Sequence, residues 1–319
     1  MKSRTGAIVV GLAAIAIVAV VGIAVLQSAD EILSGPSGDC DVTVAHHEVK
    51  LSGEQAENAS LITAIAIRRG LPARAASIAL AAAYQESDLY NIDYGDRDSV
   101  GLFQQRPSQG WGTKSQLLDP EYATNAFYDA LERVDGYESM EITVAAQTVQ
   151  RSQFPDAYAD HEADARAVAS SLTGYSPATF SCDLGGGAPS AAEELTDSGL
   201  TSRADAVRKD LLERFGDLSL GGFAPGGVTT GHMEGSAHYE GRAFDIFFRP
   251  VTPGNKVRGW AVAQYLVANA ARLEIRTVIF DDRIWLAGQD GWQDYDPPET
   301  SGAQQVLEHR DHVHVDVFE

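Results

Sequence analysis

An imidazole and a carboxylate stand seven residues apart, His238 and Asp245, in the run Ser236-Ala237-His238-Tyr239-Glu240-Gly241-Arg242-Ala243-Phe244-Asp245. Near the C-terminus they are answered by Asp311-His312-Val313-His314. Together these residues offer the three N/O ligands of a catalytic zinc, with a fourth position left for water. A metal-free cluster is the other explanation for the crowding of His309, His312 and His314. Residues 243–248 and 312–318 are apolar and β-branched enough to read as buried strands. Side chains alternate along a strand, so His312, His314 and Asp316 share one face and Val313, Val315 and Val317 the other. Gly241 allows a sharp bend between His238 and Asp245.

A second candidate is Glu86 in Gln85-Glu86-Ser87, at the end of an Ala-rich segment running from Pro72 through Tyr84. That segment is small and apolar almost all round and reads as a helix buried in a domain centre. A carboxyl held there beside apolar walls has a raised pKa, which suits a general acid. The preceding helix covers residues 59–69, with Leu61, Ile62, Ile65 and Ala66 at helical spacing, and Gly70 stops it. Residues 54–180 as a whole read as mostly helical.

The chain opens with Lys2 and Arg4, an apolar run over residues 6–26, and then Asp30 and Glu31. About 20 apolar residues suffice to cross a bilayer as a helix, so this reads as one uncleaved anchor in the cell membrane, with everything after residue 30 exported. A cleaved signal peptide is the competing reading, but the run exceeds an ordinary signal core. The divisions expected are an anchor (1–29), a linker (30–50), a first domain (51–182), a flexible Gly-rich linker (183–200) and a second domain (201–319). Cys40 and Cys182 flank the first domain and are expected to form a disulfide, two buried thiols being the alternative. The net charge of −21 excludes nucleic acid as a natural partner, because phosphate binding needs a cationic surface. Nothing here bears on oligomeric state.

Ser-x-His-x-x-Gly-x-Ala-x-Asp followed by His-x-His resembles the zinc-binding signature shared by lysostaphin-type, D-Ala-D-Ala and hedgehog-like domains, over roughly residues 201–319. The resemblance implies Zn2+ held by His238, Asp245 and His314 in an α+β domain with a small antiparallel sheet. It offers two candidates for the general base, Asp311 from the carboxypeptidase branch and Glu308 from the hedgehog-like branch. The usual base is Glu in both branches, so Asp311 is a departure. His312 is implied as an outer hydrogen-bonding or oxyanion-stabilising group, because a fourth protein ligand would close the site.

Glu86-Ser87, followed by Gly95-Asp96-Arg97 and Gly101-Leu102-Phe103-Gln104, resembles the lytic transglycosylases and goose-type lysozymes over about residues 55–170. The resemblance implies Glu86 as the acid that protonates a glycosidic oxygen and Asp96 as a second carboxylate able to position water. It also implies a sugar groove lined by Gly101, Leu102, Phe103 and Gln104. The family's later Tyr-Asn pair is absent, and Val149-Gln150-Arg151-Ser152 stands about where it belongs. Both resemblances point to peptidoglycan. The expectation is a membrane-anchored cell-wall hydrolase with a glycan-cleaving and a stem-peptide-cleaving domain. The alternative is a wall-binding or assembly protein with one or both sites idle.

Overall fold

The computed structural model describes residues 38–184, 193–297 and 302–319. Strands β1 (Asp39–Val44) and β2 (His47–Leu51) come first. Ser52 then starts helix α1 (Gly53–Arg68) through a capping box: its hydroxyl accepts from the Gln55 N–H, and the Gln55 side chain accepts from the Ser52 N–H. Pro72 opens α2 (Ala73–Ser87), in which every residue from Ala75 to Tyr84 is buried. Small side chains let neighbours approach α2 from several sides. Helices α3 (Lys114–Leu117), α4 (Pro120–Leu131), α5 (Ile142–Gln150) and α6 (Glu162–Leu172) follow. Of these, α4, α5 and α6 pack on α2, as does α1.

Strand β3 (Phe180–Asp183) returns to the start of the chain and completes a three-stranded sheet of order β2-β1-β3. Cys40 stands opposite Cys182 in the β1–β3 register, and a disulfide joins them. The bridge spans a sequence separation of 142 residues. Closing so long a loop stabilises the fold by about 4–5 kcal/mol, chiefly by restricting the unfolded chain.

The rest of the chain supplies α7 (Ser202–Phe215), β4 (Ser219–Gly221), β5 (Ala243–Phe247), α8 (Pro253–Ala268), β6 (Ile275–Phe280), β7 (Arg283–Leu286), β8 (Trp292–Asp294), α9 (Gln304–Leu307) and β9 (His312–Val317). The strands form one antiparallel sheet of order β4-β5-β9-β6-β7-β8. Val313, Val315 and Val317 are at most 1% exposed, as strand alternation requires of the core-facing set.

Residues 38–319 make one compact unit. Its joint is polar and buried. Gln264 of α8 is fully buried, and its side-chain oxygen accepts from Thr179 N, Phe180 N and Ser171 Oγ at 2.9, 3.1 and 2.9 Å, while its amide donates to Ser171 O. Backbone N–H groups that would be orphaned by burial are thereby satisfied. At Gly174 (φ 81°) a Cβ would lie 2.0 Å from the Val257 carbonyl oxygen, so only glycine lets this turn meet α8.

Two expectations are corrected. The fold is mixed, with nine helices and two sheets among the described residues, and strands frame the first half as well as building the second. The second sheet has six strands and is not small. No helix among the described residues is long and apolar enough to cross a membrane. α1 and α8 have only 16 residues each, against the roughly 20 that a bilayer needs. The expected single-pass membrane architecture and its membrane placement are corrected accordingly; the apolar run 6–26 lies outside the described residues, as do residues 185–192 of the Gly-rich linker.

Candidate functional sites

Glu86 occupies the last turn of α2. The Tyr158 hydroxyl donates to its Oε1 at 2.6 Å, from a short 3-10 turn over Ala157–His161. The Gln150 side chain at the end of α5 bonds the same carboxyl and also donates to the Phe103 carbonyl at 2.8 Å. Burial pushes the Glu86 carboxyl above the usual carboxylate range, against the lowering effect of the Tyr158 and Gln150 hydrogen bonds. No carboxylate contributes to that rise. Burial, and after it the charge of Glu86, raises the Tyr158 phenol, which therefore stays a donor. A cleft of about 1090 Å³ is lined by Gln150 together with Trp111, Tyr122, Arg133, Met140 and Arg151, and by neither Glu86 nor Tyr158.

The run from Gly101 to Gln104 holds the loop to the end of α2. Ser87 Oγ donates to Leu102 O at 2.7 Å, and Gln104 accepts from Ser99 Oγ at 3.0 Å. The side chains of Leu102 and Phe103 are 0% and 1% exposed, and Phe103 stacks on Phe127 at 4.7 Å. They are core residues, and the run meets the Glu86 cluster through the Phe103 carbonyl, which accepts from Gln150. Gly101 (φ 79°) is pressed against Leu117 O, which a Cβ would meet at 2.2 Å. Asp96 is not brought to Glu86 in any hydrogen bond; its side chain is 89% exposed and lies 3.8 Å from Arg97.

The second cluster sits on the polar face of the large sheet. The β5–β9 register sets Asp245 directly opposite His314. His238 is delivered by a short turn, Ala237–Glu240, which ends at Gly241 (φ 69°) before the chain enters β5. His238 Nε2, His314 Nδ1 and Asp245 Oδ1 form a triangle with sides of 3.1, 3.3 and 3.3 Å. Ligands at 2.0–2.2 Å from a tetrahedral zinc lie about 3.3–3.5 Å apart, so these three atoms fit one ion. The outer nitrogens are also engaged. His238 Nδ1–H donates to Gly222 O at 2.8 Å, and His314 Nε2 faces Asp316 Oδ2 at 3.6 Å. Such partners fix the ring orientation that a metal ligand requires. A Cβ at Gly222 would meet the His238 ring at 2.5 Å, so glycine permits this approach.

Burial opposes the charge of Asp245, but the hydrogen bonds from His238 and His314 outweigh it and hold the carboxyl well below its usual range. Burial likewise opposes charge on His314, yet Asp245 and Asp316 raise that imidazole to about 9. The pocket is therefore built to hold positive charge among carboxylates. His232 stacks on His238 at 3.7 Å, and His232, His238 and Asp245 also have ligand atoms within 4.8 Å of one another.

Neither expected base is free. Asp311 Oδ1 accepts from His312 Nδ1 at 2.7 Å and its Oδ2 accepts from Arg249 Nε at 2.6 Å. Glu308 pairs with Arg310 at 2.6 Å. A cavity of about 780 Å³ opens over the cluster, lined by His232, Arg249, Tyr295, His309, His312 and His314 among others, and by neither Asp311 nor Glu308. His312 Nε2 lies 3.8 Å from Asp245 Oδ1, beside the triangle and outside it.

Sequence reasoning missed Tyr158, His232 and Arg249, and gave Gln150 only as part of the stretch standing where the family's later Tyr-Asn pair belongs. Tyr158 lies 72 residues from Glu86, and no local pattern links them. His232 precedes His238 by six residues in a Gly-rich loop, the one signal that a closer reading could have used.

Among known proteins, the family model for the VldE C-terminal domain matches residues 196–306. That stretch contains His238 and Asp245 and stops before His312 and His314, and it does not bear on a lysozyme-like or zinc-peptidase-like assignment. It gives no support to the hydrolase and lysozyme descriptions expected from sequence. No curated protein matches the chain.

Proposed function

We propose that the chain is a two-site peptidoglycan hydrolase, with a zinc-dependent peptidase site at His238, Asp245 and His314 and a glycan-cleaving site at Glu86. The observation that carries the reading is the triangle of ligand atoms with sides of 3.1–3.3 Å. Zinc bound there supplies a Lewis acid for a scissile carbonyl and a nucleophilic water at neutral pH. The chain's own contribution is to point two imidazoles and a carboxylate at one position, with His312 and His309 on the cavity wall. His309 is held neutral, down to about 3, by burial and by the neighbouring His312 and His314. So depressed, it is a weak proton acceptor and adds no positive charge to the cavity wall.

In the first half the raised Glu86 carries the proton for a leaving glycosidic oxygen, and Tyr158 and Gln150 hold its carboxyl in place. Because burial alone raises Glu86 and Asp96 stands apart, a single-acid route that closes an anhydro ring fits better than water delivery by a second carboxylate. The same isolation of Asp96 is the observation that favours a wall-binding role for this half.

The test is digestion of purified peptidoglycan. The expected products are anhydro-sugar ends and free amino groups, with chelation abolishing only the latter. Appearance of neither product, with tight binding to the wall, would leave the binding reading.

A further inference from the structure

The Glu86 carboxyl is held by a tyrosine from a distant segment, and that tyrosine must itself be held. Tyr158 is the only buried residue of the 3-10 turn Ala157–His161. Residues 153–156 before the turn are all exposed, so the segment is not fixed by packing from its N-terminal side. The fixed side is the other one. Side chains three apart in a 3-10 turn lie on one edge, so His161 projects beside Tyr158 toward the end of α2. His161 Nε2 stands 3.1 Å from Gln85 Oε1, and because a carbonyl oxygen only accepts, the ring donates there. The imidazole also lies parallel to the buried Tyr84 ring, within 1°, with centroids 5.7 Å apart. The turn therefore meets α2 at two adjacent rungs, Tyr158 on Glu86 at 2.6 Å and His161 on Gln85. Gln85 and Glu86 stand about 100° apart around the helix, so two rungs fix the rotation of the turn as well as its distance. His161 is also the last residue before α6, which packs along α2. The Ser152 hydroxyl bonds the Tyr158 phenol, but it comes from the exposed approach to the turn.

We propose that His161 is a positioning residue for the acid: it locks the turn to α2 through Gln85 and Tyr84, so that the Tyr158 hydroxyl lands on Glu86 and holds its carboxyl in place. The inference rests on the glycan-cleaving reading of Glu86 above. His161 makes and breaks no bond in that reaction and acts only through Tyr158.

Titration of the Glu86 carboxyl by carbon NMR on the full chain, without substrate, tests this. Tyr158→Phe should raise the midpoint by about one pH unit, the size of one lost hydrogen bond to a charged group. His161→Ala should reproduce at least half of that rise, and in the His161→Ala/Tyr158→Phe double variant it should add nothing to Tyr158→Phe alone. His161→Phe keeps a flat ring against Tyr84 and loses the bond to Gln85; it should also raise the midpoint only while Tyr158 is present, and it carries the test if His161→Ala fails to fold. An unmoved midpoint overturns the proposal. So does a rise that persists in full beside Tyr158→Phe, because loss of the imidazole's own charge would act there equally. The titration needs no substrate, so the two readings fail separately: absence of anhydro-sugar ends from digests by the wild-type chain removes the catalytic role of Glu86, whereas the shifts decide whether His161 sets its partner.

Discussion

The two clusters solve different electrostatic problems. Around Glu86 one carboxyl is buried at the end of an apolar helix, and its partners, Tyr158 and Gln150, are neutral donors. Around Asp245 several imidazoles and carboxylates crowd one face of a sheet, where Asp245 and His314 each favour the other's charged form while His309 is held neutral by burial and by its imidazole neighbours. The first environment favours a neutral acid that can give up a proton. The second favours separated charges around a common centre, which suits a cation. The contrast teaches that burial alone does not set a site's chemistry: the charge of the surrounding groups decides whether an acid keeps its proton or loses it.

The sharpest way to break this contrast is to remove a ligand. His238→Ala or Asp245→Ala should reduce bound zinc from about one equivalent to none, read by elemental analysis of the purified chain, because each removes one of only three ligands. Stoichiometric zinc in both variants would sink the ligand assignment. Removing the acid is expected to be nearly as severe for the other site, with Glu86→Gln lowering glycan cleavage by about 10²-fold or more while wall binding persists.

The same variant has a stability consequence of definite sign. Glu86 is raised in the folded state, so its neutral form is the favoured one there, and stability is lost as pH rises from the unfolded value through the folded one. Glu86→Gln should therefore gain stability relative to wild type at pH 7 and show no gain near pH 4. Urea denaturation at the two pH values measures this, and an equal difference at both would show that burial does not raise Glu86.

A smaller effect is expected at the joint. Gln264→Leu leaves the Thr179 and Phe180 N–H groups without their acceptor and should cost about 1–3 kcal/mol, with both halves still unfolding together. Separate transitions for the two halves would show that the joint, and not the cores, couples them. Smallest is Tyr158→Phe, which removes a bond that lowers the Glu86 pKa. The alkaline limb of the glycan-cleavage profile should move to higher pH in this variant, and an unmoved limb would detach Tyr158 from the acid.

Much of the second cluster was legible in residue order because it rests on local periodicity. Strand alternation puts His312, His314 and Asp316 on one face with the valines behind them, and glycine at 241 announces the bend that precedes β5. Less of the first was legible. The Ala-rich helix with Glu86 at its end could be read from composition, and so could its start at Pro72. That Phe103 turns into the core to stack on Phe127, and does not line a groove, depends on a helix more than twenty residues further on. The resemblance implied Asp96 as a partner, but the loop that carries it turns it to solvent.

Residue order by itself determined which groups could do chemistry here and the helical and extended periods that carry them, since these follow from side-chain type and from repeats of two and 3.6 residues. Tertiary structure alone decided the rest. The register that sets Asp245 against His314, the 72-residue reach from Tyr158 to Glu86, and the tethering of Asp311 to Arg249 and His312 all arise between segments distant in the chain. Such contacts form only where packing of the apolar faces brings the segments together, and no local period encodes which polar groups will then meet.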